Sequence, residues 1–405
     1  MTFTGMWAEL EPLGRDATTG GYRRFAWTRE DAVLREWFTA QAAARGLDLT
    51  TDRAGNLWAW TSDPDAAVAA GRPGVVIGSH LDSVPDGGAF DGPLGVVSSF
   101  AALDLLREQG WTPDRPVGVA CFSDEEGARF GVACAGSRIV TGVLDADRAR
   151  GLADADGTRL GEAAARAGSD VEAFGRDEET LRRVGVFVEL HVEQGRALAE
   201  EPDAPVGVAS AIWPHGRWRL DLPGRADHAG TTRLADRDDP MLRLAATVTA
   251  ARDAAQRHAA LATVGKVRVQ PNGVNAIPSG VNAWLDARGP DAGDVRRVVA
   301  DVAAAAGVGA AEESWTPPVD FPAGLRDELV GVLEAGGRAV PVLATGAGHD
   351  AGILAAAGVP AAMLFVRNPT GTSHSPSEHA EEADCLAGVE ALARVVEHLT
   401  RSGRE

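Results

Sequence analysis

Five side chains of the types that bind metal ions stand in separate stretches of the sequence: His80, Asp91, Glu126, His191 and His374. Neutral imidazoles and carboxylates suit zinc, manganese or cobalt, and the lack of thiolates argues against a structural cysteine-type zinc site. One carboxylate can bridge two ions, and two ions would polarise a carbonyl and generate hydroxide near neutral pH. Each histidine alone is most simply a polar surface residue. A metal-dependent hydrolytic centre is therefore predicted only if folding brings the five together.

The elements that precede these residues indicate how they could meet. Short, continuously apolar segments are typical of strands buried on both faces of a sheet, and they occur at 74–80, 117–123, 184–191 and 361–366. Helical patterns accompany them, at 29–45, 94–108 and 381–400. This alternation predicts an α/β domain with a mainly parallel sheet. Loops that leave the carboxyl ends of parallel strands meet at one edge, where we expect the five side chains to converge.

The stretch from about 207 to 320 has a different pattern. RWRLDLPG, KVRVQPNGVNAIPSG and VNAWLDARG alternate polar and apolar residues, as strands do when one face of their sheet is exposed. Two alanine-rich helical patterns accompany these strands. We therefore predict a discontinuous catalytic domain formed by 1–206 and 321–405, with a smaller α+β domain inserted at 207–320.

Composition limits the partners and the location. The 405 residues carry a formal net charge of −19, which argues against nucleic acid or an anionic membrane as a partner. A small anionic substrate stays compatible with this charge, because a local arginine can outweigh a distant field. The three cysteines form no metal or redox pair, and the N-terminal MTFTGMWAELEPLG is not a signal-peptide pattern. We expect a cytoplasmic protein without a membrane span.

Seven motifs in chain order carry a family resemblance: GSHLDSVPDGGAFDGPLGV, DEEGARFG, HVEQG, DHAGTT, NAIP, GAGHDA and HSPSE. Together they resemble the dinuclear-metal amidohydrolases related to aminoacylases and carboxypeptidases. Within that group they are similar to the branch of N-carbamoyl-L-amino-acid hydrolases, β-ureidopropionases and allantoate amidohydrolases. The motifs extend over about 75–380, which is nearly the whole chain.

The resemblance implies two divalent metal ions per subunit, either zinc or manganese, with cobalt also possible. It makes His80 and His191 the ligands of one ion, Glu126 and His374 the ligands of the other, and Asp91 the bridge. Glu125 then corresponds to the general base that takes a proton from water and passes it to the leaving nitrogen. Asp82 corresponds to a carboxylate that orients His80.

The remaining implied roles concern the substrate. His228 resembles a histidine that stabilises the developing oxyanion and that the neighbouring subunit frequently supplies. The family's substrate-binding positions are matched by Gln194, which would contact the ureido group, by Asn275 and Arg288, which would hold a carboxylate, and by Gly348 and His349 on a turn. After DHAGTT the family usually continues with Pro and Met, whereas this chain has Arg233 and Leu234 and keeps Arg237. This departure leaves the exact substrate open.

The predicted reaction is metal-dependent hydrolysis of a linear ureido C–N bond in a small carboxylate, releasing ammonia. Allantoate is the leading substrate and an N-carbamoyl-L-amino acid is the alternative. N-acyl amino acid deacylation, aminopeptidase activity and a non-catalytic metal-binding role are further alternatives, and the presence of Glu125 argues against the last. The resemblance also implies a homodimer that forms through the inserted domain, which would act as a lid.

Overall fold

The computed structural model describes residues 2–401, and the chain divides into two compact units. The first unit is formed by the chain up to Ser210 and from Asp320 onward, and the second by Ala211–Val319. A strand at the first junction, Val206–Ile212, pairs with Ala361–Val366 and so belongs to the sheet of the first unit.

The strands, numbered in chain order, are β1 (Asp48–Thr51), β2 (Leu57–Trp60), β3 (Gly74–His80), β4 (Val117–Phe122), β5 (Val184–Val192), β6 (Val206–Ile212), β7 (His215–Pro223), β8 (Asp227–His228), β9 (Leu261–Gln270), β10 (Ala276–Ile277), β11 (Gly280–Arg288), β12 (Ala310–Thr316), β13 (Val319–Asp320), β14 (Val342–Thr345) and β15 (Ala361–Val366).

The α-helices are α1 (Phe3–Leu10), α2 (Arg29–Ala44), α3 (Pro64–Ala69), α4 (Pro93–Glu108), α5 (Ala135–Val140), α6 (Ala146–Gly151), α7 (Leu160–Arg166), α8 (Glu178–Arg183), α9 (Pro240–Arg257), α10 (Ala292–Ala306), α11 (Ala323–Glu334), α12 (Asp350–Ala356) and α13 (Glu382–Thr400). Short 3₁₀ turns lie at Val171–Ala173, Leu198–Glu200 and Leu234–Asp236. Among the described residues, none of the helices combines the length and apolar character that crossing a bilayer requires.

The main sheet of the first unit has the order β1-β2-β4-β3-β5-β15-β6-β13, with β14 beside β6. Its middle strands β4, β3, β5 and β15 run parallel, and β2 and β6 join them antiparallel. The prediction of a mainly parallel α/β domain is confirmed. The register places His80 beside Phe122 and Phe365 beside His191, so these strands reach the same edge together.

The parallel strands have continuously apolar sequences because both faces of the sheet are covered there. Every residue of β3, β4 and β15 is buried. Helices α4 and α13 pack against each other and against these strands, and their apolar side chains share one core with Ile77, Val119 and Leu364. Burial of this kind contributes about 25 cal/mol per Å² of apolar surface, so the core stabilises the strands whose ends carry the metal-type residues.

Helix α2 begins at a reciprocal cap that buries a carboxyl group. Thr28 Oγ1 accepts the backbone N–H of Asp31 at 3.4 Å, and Asp31 Oδ2 accepts the N–H of Trp27 at 2.9 Å. Burial outweighs this hydrogen bond and the nearby charge of Arg35, and it raises the pKa of Asp31 from 3.8 to about 6. The folded protein therefore holds this proton at pH values where the unfolded chain has released it.

Replacing Asp31 with Asn should remove a pH dependence of folding stability. Because the folded pKa is above the unfolded one, the contribution of Asp31 to the free energy of unfolding falls as pH rises from about 4 to 6. The fall is about 1 to 3 kcal/mol, allowing for partial exposure. Urea unfolding of wild type and variant at about pH 3.5 and about pH 7, on either side of this window, measures the fall. A wild-type-minus-variant difference that is equal at both pH values would contradict the raised pKa.

The second unit is a separate α+β structure. Its antiparallel sheet has the order β12-β7-β11-β9, and α9 and α10 pack on one face. Residues of β7 and β11 alternate between that buried face and the other face, with Trp218, Leu220 and Leu285 among those in the core. Beyond one end of β7 and β11, β8 and β10 form a further short ladder.

Candidate active site

The structure brings the five metal-type side chains to one edge of the main sheet. His80 ends β3, His191 is the penultimate residue of β5, and Glu126 and His374 lie in the loops after β4 and β15. They form two groups that share Asp91, and within each group one ligand atom per residue lies within 4.8 Å of the others. The groups are His80, Asp91 and His191, and Asp91, Glu126 and His374.

The two oxygens of Asp91 face different groups. Asp91 Oδ1 lies 3.2 Å from His191 Nε2 and 3.8 Å from His80 Nε2, whereas Oδ2 lies 3.4 Å from His374 Nε2. His374 Nε2 is also 3.6 Å from Glu126 Oε2. A carboxylate that presents one oxygen to each of two ligand groups has the arrangement that a bridging ligand requires.

The buried histidines fit a metal ion by their hydrogen bonding. His80 Nδ1 lies 3.2 Å from the Asp82 carbonyl and His191 Nδ1 lies 2.9 Å from the Val192 carbonyl, so each neutral ring carries its proton on Nδ1. The Nε2 atoms of both rings are buried and have no hydrogen-bond partner among the described residues. The Nε2 lone pairs of both rings and the carboxylate of Asp91 therefore lie close together, and a divalent cation bound between them would take all three as ligands.

The electrostatics of the site also favour a cation. Burial lowers the pKa of His80, but the charges of Glu125 and Asp82 outweigh burial and raise that pKa well above its ordinary value. Burial opposes ionisation of Asp91, but the close approach of His191 and the charges of His374 and His80 outweigh it and hold the pKa of Asp91 well below its usual range. An excess of carboxylates around buried imidazoles creates a negative potential that a bound metal ion would neutralise.

Asp82 connects two ligand-bearing segments. Its Oδ1 lies 3.4 Å from His80 Nδ1, as a residue that orients this ring should. The same carboxylate accepts the backbone N–H groups of Glu125 and Glu126, both at 3.1 Å. Asp82 therefore also fixes the backbone after β4, a role that the sequence did not indicate.

Glu125 is buried beside the metal-type residues but belongs to neither group. Its Oε2 lies 3.7 Å from His80 Nε2, and the thiol of Cys134 donates to its Oε1 at 3.3 Å. Burial, together with the charges of Asp350 and Glu126, raises the pKa of Glu125 well above its ordinary value against the opposing charge of His80. A carboxylate that takes up protons this readily is suited to general acid–base work.

Gln194 and Ser373 lie against Asp91 on the side of the second group. Gln194 Nε2 and Ser373 Oγ each donate to Asp91 Oδ2 at 2.9 Å. Gln194 Oε1 is buried and has no hydrogen-bond partner among the described residues, so it can accept an N–H from a ligand. Ser373 was not predicted, because a lone serine in a loop carries no sequence signal for such a contact.

A buried network lies behind the site. Glu189 accepts the Ser79 hydroxyl at 2.8 Å and the Ala351 N–H at 3.0 Å, which ties β5 to β3 and to the start of α12. Gly348 precedes this helix, and His349 is buried with its ring 4.5 Å from the ring of His191. The structure thus places His349 as a packing neighbour of a proposed ligand.

In the second unit, His228 and Asn275 lie together. Ala276 pairs with His228 across the β8–β10 ladder, and the Ala229 N–H donates to the Asn275 carbonyl at 3.0 Å. His228 is exposed, and its Nδ1 accepts the N–H of Gly230 at 3.0 Å. The neutral ring therefore carries its proton on Nε2, which is free to act as a donor.

Arg288 lies at the opposite end of this unit. It ends β11, whereas the β8–β10 ladder lies beyond the start of β11 at Gly280, which puts roughly 26 Å between the ends of the strand. The Arg288 guanidinium makes a two-point ion pair with Asp286, with both distances 2.8 Å. Within one chain the structure therefore does not bring Arg288 together with Asn275.

Arg233 stands where the sequence departs from the family pattern. It pairs with Asp236 and is followed by the exposed Leu234.

A parallel sheet with imidazoles and carboxylates gathered at its carboxyl edge defines a metallohydrolase type of site. The family description that matches residues 76–398 is peptidase family M20/M25/M40, and the chain belongs to this family. The predicted family resemblance is confirmed.

Relatives of similar length support this assignment. The chain is 35% identical to an N-carbamoyl-L-amino acid amidohydrolase of Geobacillus stearothermophilus over 98% of both chains. It is 31% identical to the allantoate amidohydrolase of Escherichia coli over 96% of this chain and 95% of the relative. A crystal structure of an amidase of the hydantoinase/carbamoylase family from Burkholderia vietnamiensis is 30% identical, with a TM-score of 0.87 over 98% of this chain and 96% of that one.

Proposed function

We propose that this protein hydrolyses the linear ureido C–N bond of a small carboxylate and releases ammonia. Allantoate is the proposed substrate and an N-carbamoyl-L-amino acid is the alternative. The observation that carries the proposal is the buried Glu125, which lies beside two ligand groups that share Asp91 and belongs to neither. The relatives named above include an N-carbamoyl-L-amino acid amidohydrolase and an allantoate amidohydrolase, and this supports the same chemistry for this chain.

The proposed metal centre uses the two groups described above. His80 and His191 would hold one divalent ion, Glu126 and His374 the other, and Asp91 both, with zinc, manganese or cobalt as the candidates. Such ions supply Lewis acidity, which polarises a carbonyl and acidifies water.

The other steps are assigned to the side chains. Glu125 takes a proton from the attacking water as the new C–O bond forms, and returns it to the leaving nitrogen as the C–N bond breaks. Gln194 Oε1 accepts an N–H of the ureido group and so orients it. His228 donates its Nε2 proton in a hydrogen bond to the oxygen that becomes negative in the transition state.

A substrate panel tests the proposed reaction. The purified protein, with added manganese or zinc, is incubated separately with allantoate, N-carbamoyl-L-amino acids, N-acetyl amino acids and dipeptides. We expect ammonia release from allantoate, the leading substrate, to have the highest kcat/KM, followed by the N-carbamoyl-L-amino acids, which also offer a ureido group to Gln194 and a carboxylate to Arg288. Faster turnover of carbamoyl amino acids would select the alternative. Rapid dipeptide cleavage without ammonia from any ureido compound would contradict the proposal.

The second unit is proposed to form a homodimer interface and a lid. Strand β9 is one edge of its sheet, and an edge strand offers backbone groups to a partner strand. Apolar side chains are exposed there and on the neighbouring α9, with Leu242 72%, Leu261 56% and Val267 43% exposed. A second copy of the chain would cover these side chains.

The proposed location is the cytoplasm, which cell fractionation tests.

A dimer would also explain the separation of the proposed substrate residues. Because Arg288 and Asn275 lie at opposite ends of the second unit, one unit cannot place both on the same substrate carboxylate. Two subunits can do so if each active site takes Arg288 from one chain and the His228–Asn275 pair from the other.

A further inference from the structure

The backbone of the proposed bridging ligand is held by a residue from the other end of the sequence. Asp91 lies in a loop that contains Gly87, Gly88 and Gly92, so local sequence alone leaves this loop many conformations. Glu378 Oε1 accepts the N–H of Phe90 at 2.8 Å and the N–H of Asp91 at 2.9 Å. Because one oxygen accepts hydrogen bonds from two successive backbone amides, it fixes the direction in which the Asp91 side chain points.

The residue that makes this contact belongs to the segment that carries another proposed ligand. Glu378 is four residues after His374, and its own N–H donates to the Ser375 carbonyl at 3.0 Å, which closes a turn between them. Glu378 is 5% exposed, so its hydrogen bonds are shielded from water. Glu378 therefore joins the loop of Asp91 to the segment of His374 through buried contacts.

Gly88 leaves the space that this carboxylate occupies. A Cβ added at Gly88 would lie 2.3 Å from Glu378 Oε1 and 2.4 Å from its Cδ. Gly88 does not adopt the left-handed backbone conformation, so the close approach of Glu378 is what requires a glycine at this position. The fit of Gly88 against Glu378 is a second observation, independent of the hydrogen bonds, that the two segments are built to meet.

We propose that Glu378 is a positioning residue that assembles the metal centre by fixing the backbone of Asp91 against the segment of His374. We do not assign it as a ligand, because it lies in neither metal-type group of the described residues. The role needs an acceptor oxygen and does not need a negative charge. This inference rests on the proposed function, since it assumes that the two groups bind metal.

Metal affinity of the demetallated protein tests this role directly. Titration with manganese or zinc against a competing chelator should show that Glu378→Ala weakens binding by about 10- to 100-fold. Glu378→Gln should bind within about threefold of the wild type, because its amide oxygen can accept the same two N–H groups. Glu381→Gln, a nearby exposed carboxylate, is the matched control and should change nothing.

A second variant keeps the test decisive if Glu378→Ala does not fold. Gly88→Ala retains every ligand and Glu378, but its methyl group pushes the carboxylate away from the loop, so it should also weaken metal binding at least about tenfold. Gly331→Ala is the control, because an added Cβ there meets nothing within 4 Å. Thermal unfolding of the metal-free proteins verifies that each variant is folded.

The outcomes separate this inference from the proposed function. If the wild type binds no divalent ion, the proposed metal centre fails. If the wild type binds and folded Glu378→Ala and Gly88→Ala proteins bind equally well, the positioning role is overturned. A Glu378→Gln protein that loses as much affinity as Glu378→Ala would show that the charge of Glu378 matters and would also overturn it.

Discussion

Replacing Glu125 with glutamine should reduce turnover of the ureido substrate on the order of 10³-fold while the bound metal content stays unchanged. The glutamine has nearly the same volume and can still accept the Cys134 thiol through its amide oxygen, so the packing around the site is retained. It cannot take a proton from water. Because Glu125 belongs to neither metal-type group, its loss should not release an ion.

The measurement compares kcat with metal content on the same sample. Glu126→Gln is the matched control, since this neighbouring carboxylate is a proposed ligand and its replacement should lower metal content together with activity. Unchanged turnover in the Glu125 variant would show that the base is another group. A wild type that binds metal but turns over no compound of the panel would instead select the non-catalytic alternative.

Replacing His228 with alanine should lower kcat by about 10²- to 10³-fold, the usual cost of one donor to a developing oxyanion. The Gly230 N–H donates to His228 Nδ1, and this leaves the ring proton on Nε2, where it can be donated to the substrate oxygen. Since His228 is exposed in the second unit, its loss should leave the thermal stability of the protein nearly unchanged.

Mixing two inactive variants shows which chain supplies His228. If His228 acts on the partner's site, a dimer of one His228→Ala chain and one Glu125→Gln chain has one intact active site. Random exchange of equal amounts should then restore about one quarter of wild-type activity. Arg288→Ala mixed with Glu125→Gln is the control and should restore none, because the proposed arrangement takes His228 from one chain and Arg288 from the other, and so leaves Arg288 with the Glu125 of its own chain.

Each other result of the mixing experiment has a definite meaning. Restoration in both mixtures would show that the Arg288 and the His228 of one chain both act at the partner's site, against the separation of their strand ends. Restoration in neither would place His228 in its own chain's site. A protein that sediments as a monomer would remove the proposed interface at β9 altogether.

The main strands of the first unit could be predicted because their signal is local. Strands buried on both faces must be continuously apolar, and 74–80, 117–123, 184–191 and 361–366 correspond closely to β3, β4, β5 and β15. Side chains that follow such strands must lie at one edge when the strands are parallel. The proposed convergence of His80, Glu126, His191 and His374 therefore required only strand positions and a fold class.

Contacts that depend on how distant loops meet had no such signal. Ser373 and Glu378 contact the loop of Asp91 across 282 to 288 residues of sequence. Likewise, the sequence contains Asn275 and Arg288 only 13 positions apart, yet β11 places them at opposite ends of a unit. Separation along an extended strand grows with every residue, so two positions close in sequence lie far apart in space here.

The amino-acid sequence by itself determined the class of fold, the family and the identity of the metal-type residues, because hydrophobic periodicity and strand-end motifs are encoded residue by residue. Only the tertiary structure decided which oxygen of Asp91 faces which histidine, which backbone amides Glu378 captures, and how strongly burial shifts the pKa of Glu125 and Asp31. These properties depend on distances and solvent exclusion among groups far apart in the chain, and such quantities exist only once the chain has folded.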